Sequence, residues 1–313
     1  MTTPLTLDGR VTLSHWGLIR ARGADTVKFL QGQLTNDVTT LEPSRARLAG
    51  FCSAKGRLQA SFVVWKLAPD ELLLACSASV LPATLKRLSM FVLRAQCKLT
   101  DASAELALHG VVGNTARALL GDTAVWGRRE LEGGTLLRLP DAAGVPRCML
   151  ALPPASEVVA APALSLDAWR WLEVQSGIPI IEAATVEQFV PQMLNYELVG
   201  GVDFQKGCYP GQEVVARSQY RGTIKRRMFL FDCDTPASAG QEVFHSGDAA
   251  QPAGMVVNAA PRPGVAGSGS AALVEVKLAA LADGSLHLGA ADGAGLRLCA
   301  LPYALPSEAS LLA

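Results

Sequence analysis

Stretches of alternating apolar and polar residues are interleaved with stretches of helical spacing along the first two thirds of the chain. A strand is predicted for VTLSHWGLIRARG, which alternates weakly, and a helix for residues 24–38, with Asp25 as its N-cap. A hairpin with SAKG as its turn is predicted for RLAGFCSAKGRLQASFVVWKL. Because strands and helices mix here without strict β-α-β alternation, the pattern predicts an α+β fold.

The pattern changes toward the C-terminus. Helices are predicted for residues 165–179, with Asp167 as the cap, and for residues 190–201. The rest of the sequence consists of short alternating runs separated by Gly, Pro, Ser and Asp, which predicts a small all-β barrel or sandwich of five or six strands. We therefore divide the chain into a body at 1–225 and a C-terminal β-barrel at 226–313.

The composition is that of a well-buried globular protein, since 50% of the 313 residues are apolar and only 18% are charged. The formal net charge is zero, so no bulk attraction to nucleic acid or to an anionic membrane is expected. The N-terminal residues lack a signal-peptide pattern, and no apolar stretch is long enough to span a bilayer. The 7 cysteines occur singly, without a CxxC pair. These features predict a cytoplasmic protein with reduced thiols.

The most unusual stretch is KGCYPGQE, residues 206–213. It places Cys208 two residues after Lys206 and just ahead of a predicted helix, where the helix dipole and the ammonium both favour a thiolate. Alternatively, Cys208 is only a small residue packed in a turn. A metal site is disfavoured because no histidine or second cysteine lies nearby in the sequence. Spacing alone leaves the first two possibilities open.

This stretch resembles the hallmark of the YgfZ-type folate-binding proteins, which assist iron–sulfur cluster assembly and repair. The resemblance extends, in order, over further blocks of the chain: GADTVKFLQGQLTNDV, GFCSAKGRL, SGIPII, residues 189–217 and the basic stretch RGTIKRRM. The C-terminal third resembles the family only in its pattern of short strand-like runs.

The resemblance implies a fold shared with the T-protein of the glycine cleavage system, a tetrahydrofolate-dependent aminomethyltransferase. It implies an aminomethyltransferase-like body of two α+β subdomains that binds folate, followed by the barrel. The implied cofactor is tetrahydrofolate or a derivative. The implied partners are iron–sulfur enzymes or their assembly factors as transient clients, with a link to tRNA modification but no direct contact with nucleic acid or membrane.

One departure separates the chain from the transferases. Their acidic pair, on the strand after the glycine-rich turn, aligns with Ala60 and Ser61, neither of which can act as a general acid or base. Cys208 stands where the transferase loop carries an acid. An accessory role with a reactive thiol is therefore the first hypothesis. The alternatives are a folate-dependent aminomethyl or methyl transferase that uses Asp37 as its acid, and a folate-binding scaffold without a reactive thiol.

The resemblance assigns the reactive role, at the rim of a folate channel, to Cys208 and Lys206. Trp16 and one of Trp169 and Trp171 are expected to contact the pterin, and basic side chains are expected to pair with the anionic folate tail. The full set of predicted folate contacts is Trp16, Trp169, Trp171, Gln33, Asn36, Asp37, Lys55, Arg57, Tyr209, Gln212, Glu213 and Arg217. Glu213 is expected to pair with Lys206 or Arg217. Glu173 is interpreted as a helix-face charge, and no metal ligand is assigned.

Overall fold

The computed structural model describes residues 7–156, 158–221, 224–264 and 269–306. Two of the sequence observations lie partly outside this range, namely the absence of a signal-peptide pattern at the N-terminus and the basic stretch RGTIKRRM at positions 222–223. In the part of the chain that is described, no helix is both long enough and apolar enough to cross a membrane.

Strands make up most of the regular secondary structure of the described chain. The strands are β1 (Gly9–Thr12), β2 (Trp16–Arg22), β3 (Ala46–Cys52), β4 (Leu58–Ala68), β5 (Glu71–Ser77), β6 (Lys98–Asp101), β7 (Ala107–Val112), β8 (Arg128–Leu131), β9 (Gly134–Ala142), β10 (Val145–Leu152), β11 (Arg226–Cys233), β12 (Glu242–His245), β13 (Asp248–Pro261), β14 (Ser270–Lys277), β15 (Leu286–Leu288) and β16 (Leu296–Cys299). The α-helices are α1 (Thr26–Gln31), α2 (Leu81–Val92), α3 (Gly113–Leu120), α4 (Leu166–Gln175) and α5 (Gln212–Tyr220), and short 3-10 helices cover Ala183–Thr185, Pro191–Leu194 and Leu278–Leu281.

Two antiparallel five-stranded sheets form the body. The first has the strand order β3-β4-β5-β2-β6, and the second has the order β1-β7-β10-β9-β8. Val63 and Leu73 of the first sheet share one buried cluster with Leu108, Leu137 and Met149 of the second. The main core of the body therefore lies between the two sheets, where burial of apolar side chains stabilises their packing.

Strand β4 is apolar on both faces because both faces are covered. Val63 and Trp65 point into the core between the sheets. Ala60 and Phe62 point the other way, into a second buried cluster that includes side chains of α1 and α2. Since side chains alternate along a strand, Ser61 shares the face of Val63 rather than that of Ala60.

The C-terminal strands form a closed six-stranded barrel. Their order is β15-β12-β13-β14-β11-β16, and a bridge between His287 and Gly295 joins the two ends of the sheet. The predicted all-β unit of five or six strands is therefore confirmed, and of the two architectures left open it is the barrel. Its first strand begins at Arg226, and the domain boundary at 225/226 stays a prediction.

Two predicted elements differ from the observed ones near the N-terminus. The single strand predicted for VTLSHWGLIRARG is two strands, β1 and β2, which belong to different sheets. The helix predicted for residues 24–38 ends at Gln31. It stops there because Leu34 forms a bridge to Phe51 and the Thr35 amide donates to the Gly50 carbonyl at 2.8 Å, so the chain joins the sheet edge instead.

Two further differences concern helix ends. The N-cap of α4 is Ser165, whose Oγ accepts a hydrogen bond from the Ala168 amide at 3.1 Å, while Asp167 lies in the first turn. A serine hydroxyl in this position satisfies an otherwise unpaired helix amide. The helix predicted for residues 190–201 is only a 3-10 turn, because Asn195 adopts a left-handed backbone conformation with φ of 56° that ends it.

Candidate functional site

A thin slot opens between the two sheets of the body, beside α4. Its walls include these side chains: Trp16, Ser61, Trp126, Arg147, Glu173 and Tyr196. It holds about 450 Å³ of empty space counted out to its open mouth, with a cavity volume of about 40 Å³ at its centre.

Glu173 is the buried anion of the slot and accepts hydrogen bonds from three side chains. Its Oε1 accepts from Trp16 Nε1 and from Trp169 Nε1, each at 2.7 Å. Its Oε2 pairs with His15 Nε2 at 2.9 Å. Burial alone would raise the pKa of Glu173, but these hydrogen bonds outweigh burial and hold its pKa below the ordinary value. The carboxylate therefore stays charged at neutral pH and fixes the indole of Trp16 against the slot.

Helix α4 and strand β7 together place this anion. Trp169 and Glu173 lie on one face of α4 because residues four apart in a helix are neighbours. Gly110 of β7 leaves room for the Trp169 ring, since a Cβ at this position would lie 2.4 Å from a ring atom. A larger residue at Gly110 would push Trp169 away and with it the carboxylate that it contacts.

Arg147 is the buried cation of the slot. Its Nε donates to the Pro140 carbonyl at 2.8 Å, and its guanidinium carbon lies 5.8 Å from the centre of the Trp169 ring. Burial lowers the pKa of Arg147 to about 10, although Glu173 and Asp141 act to raise it. The side chain therefore stays protonated at neutral pH, and its terminal nitrogens have no hydrogen-bond partner in the described part of the chain.

Tyr196 contributes a hydroxyl without a partner. The left-handed turn at Asn195, whose side-chain amide donates to the Met228 carbonyl at 2.7 Å, directs the following tyrosine inward. The ring is fully buried, and a Cβ at Gly201 would lie 2.4 Å from it. The Phe62 backbone lies close enough to the Tyr196 hydroxyl to act against the rise in pKa that burial causes, but no described group meets hydrogen-bond geometry with this hydroxyl. A buried polar group of this kind costs stability unless a ligand or water satisfies it.

The positions aligned with the transferase acids lie on opposite faces of β4. Ser61 lines the slot, and its Oγ accepts a hydrogen bond from the Ile181 amide at 2.9 Å. Ala60 is fully buried in the apolar cluster on the other side. Of these two positions only the first could present a side chain to the slot, and it presents a hydroxyl that is already engaged.

A second region, the cysteine loop of residues 206–211, contains the most unusual sequence stretch. The Lys206 ammonium donates to the carbonyl oxygens of Gln31 and Leu34, each at 2.5 Å, and lies 5.0 Å from the centre of the Tyr209 ring. Burial lowers the pKa of Lys206 to about 8, although Asp37 and other nearby acidic groups act to raise it. Lys206 therefore ties the loop to the end of α1.

The tip of the cysteine loop faces outward. Cys208 is exposed, whereas Tyr209 beside it is buried. Gly211, with φ of 78°, is the N-cap of α5 and packs so closely on the SAKG turn that a Cβ would lie 2.3 Å from the Ser53 carbonyl oxygen and 2.6 Å from Gly56 Cα. Only glycine fits this contact, which joins the loop to the turn between β3 and β4.

Named proteins of similar sequence decide the family. The chain is 34% identical over 255 residues to the tRNA-modifying protein YgfZ of Sodalis glossinidius (strain morsitans), covering 77% of this chain and 76% of that protein. It is 36% identical over 245 residues to the tRNA-modifying protein YgfZ of Photorhabdus laumondii subsp. laumondii, covering 73% and 71%. The chain belongs to the YgfZ family.

A match to a family model and a similar solved structure agree with membership of the YgfZ family. The family model described as the GCVT N-terminal domain matches residues 9–145. The crystal structure of glycine cleavage system aminomethyltransferase T from Bartonella henselae has a TM-score of 0.75 at 17% identity, covering 95% of this chain and 86% of that one. At this identity the likeness shows the fold, so the predicted aminomethyltransferase-like architecture is confirmed.

The aromatic contacts expected for a YgfZ-family protein occupy three different places. All the predicted folate contacts lie in the described part of the chain. Among them, only Trp16 lines the slot. Trp169 is fully buried behind the slot, where it holds Glu173. Trp171 is half-buried and packs at the boundary between the core of the body and the cluster shared with the barrel.

The polar residues predicted after α1 serve the backbone around them. The Asn36 amide nitrogen donates to the carbonyls of Leu48 and Gly200, at 2.7 and 2.6 Å. Gln33 is half-buried, and its side-chain oxygen has no partner among the described residues. Neither side chain lines the slot.

Asp37 is engaged in a tight turn. Its Oδ1 accepts hydrogen bonds from the amide and hydroxyl of Thr39, both at 2.6 Å, and from the amide of Thr40 at 3.2 Å. Burial acts to raise the pKa of Asp37, but these hydrogen bonds and the nearby Arg47 outweigh it and lower the pKa. This carboxylate is held in a surface turn and does not line the slot.

The basic residues expected around the folate tail lie near the cysteine loop and away from the slot. Arg57 donates to the backbone carbonyl of Gln188, and Lys55 is exposed. Glu213 and Arg217 form an exposed pair at 3.2 Å, so the expected partner of Glu213 is Arg217 and not Lys206. Gln212 is half-buried in the first turn of α5.

The sequence interpretation missed Glu173, Arg147 and Tyr196. Describing Glu173 as a helix-face charge was wrong, because its helix face points into the body. A usable signal was present: Trp169 and Glu173 at i and i+4 form an aromatic–acid pair on one helix face. Arg147, set in the apolar strand VPRCMLAL, was a comparable signal.

Proposed function

We propose that this chain binds tetrahydrofolate or a derivative in the slot and acts as an accessory protein in iron–sulfur cluster assembly or repair, with Cys208 as its reactive thiol. The names of the relatives, which are tRNA-modifying proteins, support placing this activity upstream of tRNA modification. The observation that carries the folate assignment is the slot itself, with one fixed indole and three polar groups around a thin space.

The groups in the slot fit a pterin. A pterin is a flat ring with hydrogen-bond donors and acceptors on its edge, and it needs an apolar face with a few directed polar partners. Trp16 offers the face. The unpaired Tyr196 hydroxyl and the free terminal nitrogens of Arg147 offer the partners. A bound pterin would thus satisfy polar groups that the protein leaves unsatisfied.

The chain's own residues would have separate tasks in binding. Glu173 fixes the Trp16 indole, Arg147 donates to a carbonyl or anionic oxygen of the ring, and Tyr196 donates to or accepts from the ring edge. The two sheets exclude water from one side of the slot. A bound reduced folate supplies a carrier of one-carbon groups.

Replacing Tyr196 by Phe tests the folate assignment, because it removes one hydroxyl and preserves the ring. Titration of tetrahydrofolate into the protein under anaerobic conditions, followed by calorimetry, should show binding that is about tenfold weaker in Tyr196→Phe, since a ligand polar group loses its partner. The control is Tyr220→Phe, because Tyr220 is 70% exposed on α5. Absence of binding to the unmodified protein would refute the proposal.

The exposed position of Cys208 supports a role toward a partner protein. The thiol does not line the slot, so a client or assembly factor can reach it more directly than a bound folate can. The cysteines of the described chain form no disulfide, which fits the reducing cytoplasm that we propose as its location.

Complementation tests the thiol. A deletion strain carrying Cys208→Ala should show reduced iron–sulfur enzyme activity and reduced tRNA modification while the purified variant still binds tetrahydrofolate. The control is Cys299→Ala, because that thiol is half-buried in the barrel. Full rescue of both activities by Cys208→Ala would show that the Cys208 thiol is not needed for function.

A one-carbon transferase is the less favoured function. It would need an acid beside the folate, yet Ser61 carries none and Asp37 is held in its turn. Glu173 is occupied by three hydrogen-bond donors. Incubation with tetrahydrofolate and an aminomethyl donor should therefore give no turnover, and turnover that disappears in Asp37→Asn would favour the transferase instead.

A further inference from the structure

A second depression, the arginine groove, lies next to the slot. Leu48 and Trp126 line both spaces, so the two are neighbours. The groove holds about 620 Å³ of empty space counted out to solvent. The side chains that define it are Arg45 and Arg47, which frame the edge of the first sheet at the start of β3.

The lining of the arginine groove is net positive, with two basic side chains, Arg45 and Arg47, and one acidic side chain, Glu42. Arg45 and Arg47 are both half-buried, and neither forms an ion pair within the described residues. The Arg45 guanidinium donates no hydrogen bond there either. Arg47 Nη1 donates to the Asp37 carbonyl and to Thr40 Oγ1, which positions the guanidinium and leaves its other nitrogens available.

Two acids lie near Arg45 and Arg47, and together they leave the groove with an uncompensated arginine. Asp37 acts on Arg47 at longer range, but its carboxylate accepts from Thr39 and Thr40. Glu42 lines the groove and is exposed, without a partner among the described basic residues. Guanidinium groups that are partly removed from water gain most from a carboxylate that binds in bidentate geometry.

Trp126 stands between the slot and the arginine groove in a strained conformation. Its φ of 61° is unusual for a bulky residue. Hydrogen bonds hold its backbone on both sides: its amide donates to the Arg138 carbonyl at 3.0 Å, and its carbonyl accepts from the Ala46 amide at 2.8 Å. Strain that is maintained in this way is characteristic of residues that shape a ligand site.

We propose that the arginine groove binds the glutamyl carboxylates of the folate whose ring occupies the slot, and that it gives the protein a preference for polyglutamylated folate. This inference rests on the proposed function. The aromatic ring that joins the pterin to its tail would pass Trp126, and the tail would reach Arg45 and Arg47. The tail therefore leaves at the edge of β3, and not at the basic residues near the cysteine loop.

Comparing two probes tests the groove separately from the slot. Tetrahydrofolate with one glutamate and tetrahydrofolate with three glutamates are titrated into the protein and into Arg45→Gln, Arg47→Gln and the double variant. We expect the triglutamate to bind about tenfold more tightly than the monoglutamate to the unmodified protein. In the double variant the two affinities should agree within about twofold, and the advantage in the unmodified protein should shrink with added salt.

The control is Arg94→Gln, which removes the same charge from an exposed position just after α2, beside the opposite edge of the first sheet. It should retain the triglutamate preference. Thermal unfolding checks the fold of each variant, and Arg45→Gln remains informative if Arg47→Gln disturbs the Asp37 turn. Equal affinities of the unmodified protein for the two probes would refute the proposed role of the arginine groove. A triglutamate preference that survives in the double variant would refute it too. Neither result would contradict folate binding in the slot. If neither probe binds at all, the proposed function fails together with this inference.

Discussion

The slot and the cysteine loop use buried charge in opposite ways. In the slot, Glu173 and Arg147 are buried beside the space that a ligand would enter, and Glu173 serves to hold an aromatic wall. In the loop, Lys206 is buried underneath, tied to backbone carbonyls, while Cys208 is carried outward. This difference is what the proposed function requires, with a small molecule held in the first region and a thiol presented by the second. Substitutions of similar chemistry in the two regions should therefore have different consequences.

Glu173→Gln should have the largest effect. The amide keeps only one of the two carboxylate oxygens, so either His15 or the two indole N–H groups face an NH₂ group, and the hydrogen bonds that remain lose the negative charge that strengthens them. We expect the free energy of unfolding to fall by about 3 kcal/mol. Affinity for tetrahydrofolate should fall by about tenfold, since the hydrogen bond that fixes Trp16 is weakened. Denaturant unfolding and calorimetric titration measure the two quantities.

Glu213→Gln, on α5 directly after the cysteine loop, is the matched control. Its carboxylate is exposed and pairs only with Arg217 on the surface of α5. Exposed helix pairs contribute little, so the free energy of unfolding should change by less than about 0.5 kcal/mol. If Glu173→Gln behaved like Glu213→Gln, the slot would not be organised around a buried anion.

Lys206→Met should have the next largest effect, and on stability rather than on affinity. It preserves an unbranched side chain but leaves the carbonyls of Gln31 and Leu34 without their donor. We expect a loss of about 2 kcal/mol in the free energy of unfolding and a change in tetrahydrofolate affinity of less than about twofold. Lys55→Met, at an exposed position in the adjoining turn, is the control. Weaker folate binding without loss of stability would place Lys206 in the ligand site.

The pH dependence of stability should identify Lys206 as a buried amine. Burial lowers its pKa to about 8 from an ordinary value of 10.5, so between these values the unfolded chain binds more protons than the folded one. Stability must then rise with pH across this window, by at most roughly 1 kcal/mol per pH unit. Unfolding free energies measured from pH 8 to 10.5 should show this rise in the unmodified protein relative to Lys206→Met. Parallel curves would mean that the ammonium is not desolvated.

Much of the fold could be predicted from local patterns. Alternation in short runs identified the C-terminal all-β unit without choosing between barrel and sandwich, and mixed periodicity identified the α+β body, because both patterns depend on neighbours in sequence. The length of α1 could not be predicted in this way, since the chain leaves the helix to pair with β3. The same applies to VTLSHWGLIRARG, whose two halves are drawn into different sheets by distant strands.

The site was harder to predict than the fold, and the reason is distance along the chain. Trp16 and Glu173 form one hydrogen bond across 157 positions, and Tyr196 reaches the slot only because of the turn at Asn195. The cysteine loop, in contrast, is rich in unusual residues within eight positions. The loop can therefore be recognised from the sequence. The slot cannot, because its residues come together only in the folded body.

Cys208→Ala should have the smallest effect on the purified protein. Its side chain is exposed, so the free energy of unfolding should change by less than about 0.5 kcal/mol. In the unmodified protein, a thiol reagent at pH 8 should modify Cys208 well before Cys52, which is buried and whose pKa burial raises to about 12. Mass spectrometry of the labelled peptides measures the order of modification. Early labelling of Cys52 would contradict the closed core beneath the loop, whereas early labelling of Cys208 alone fits a thiol presented to a partner.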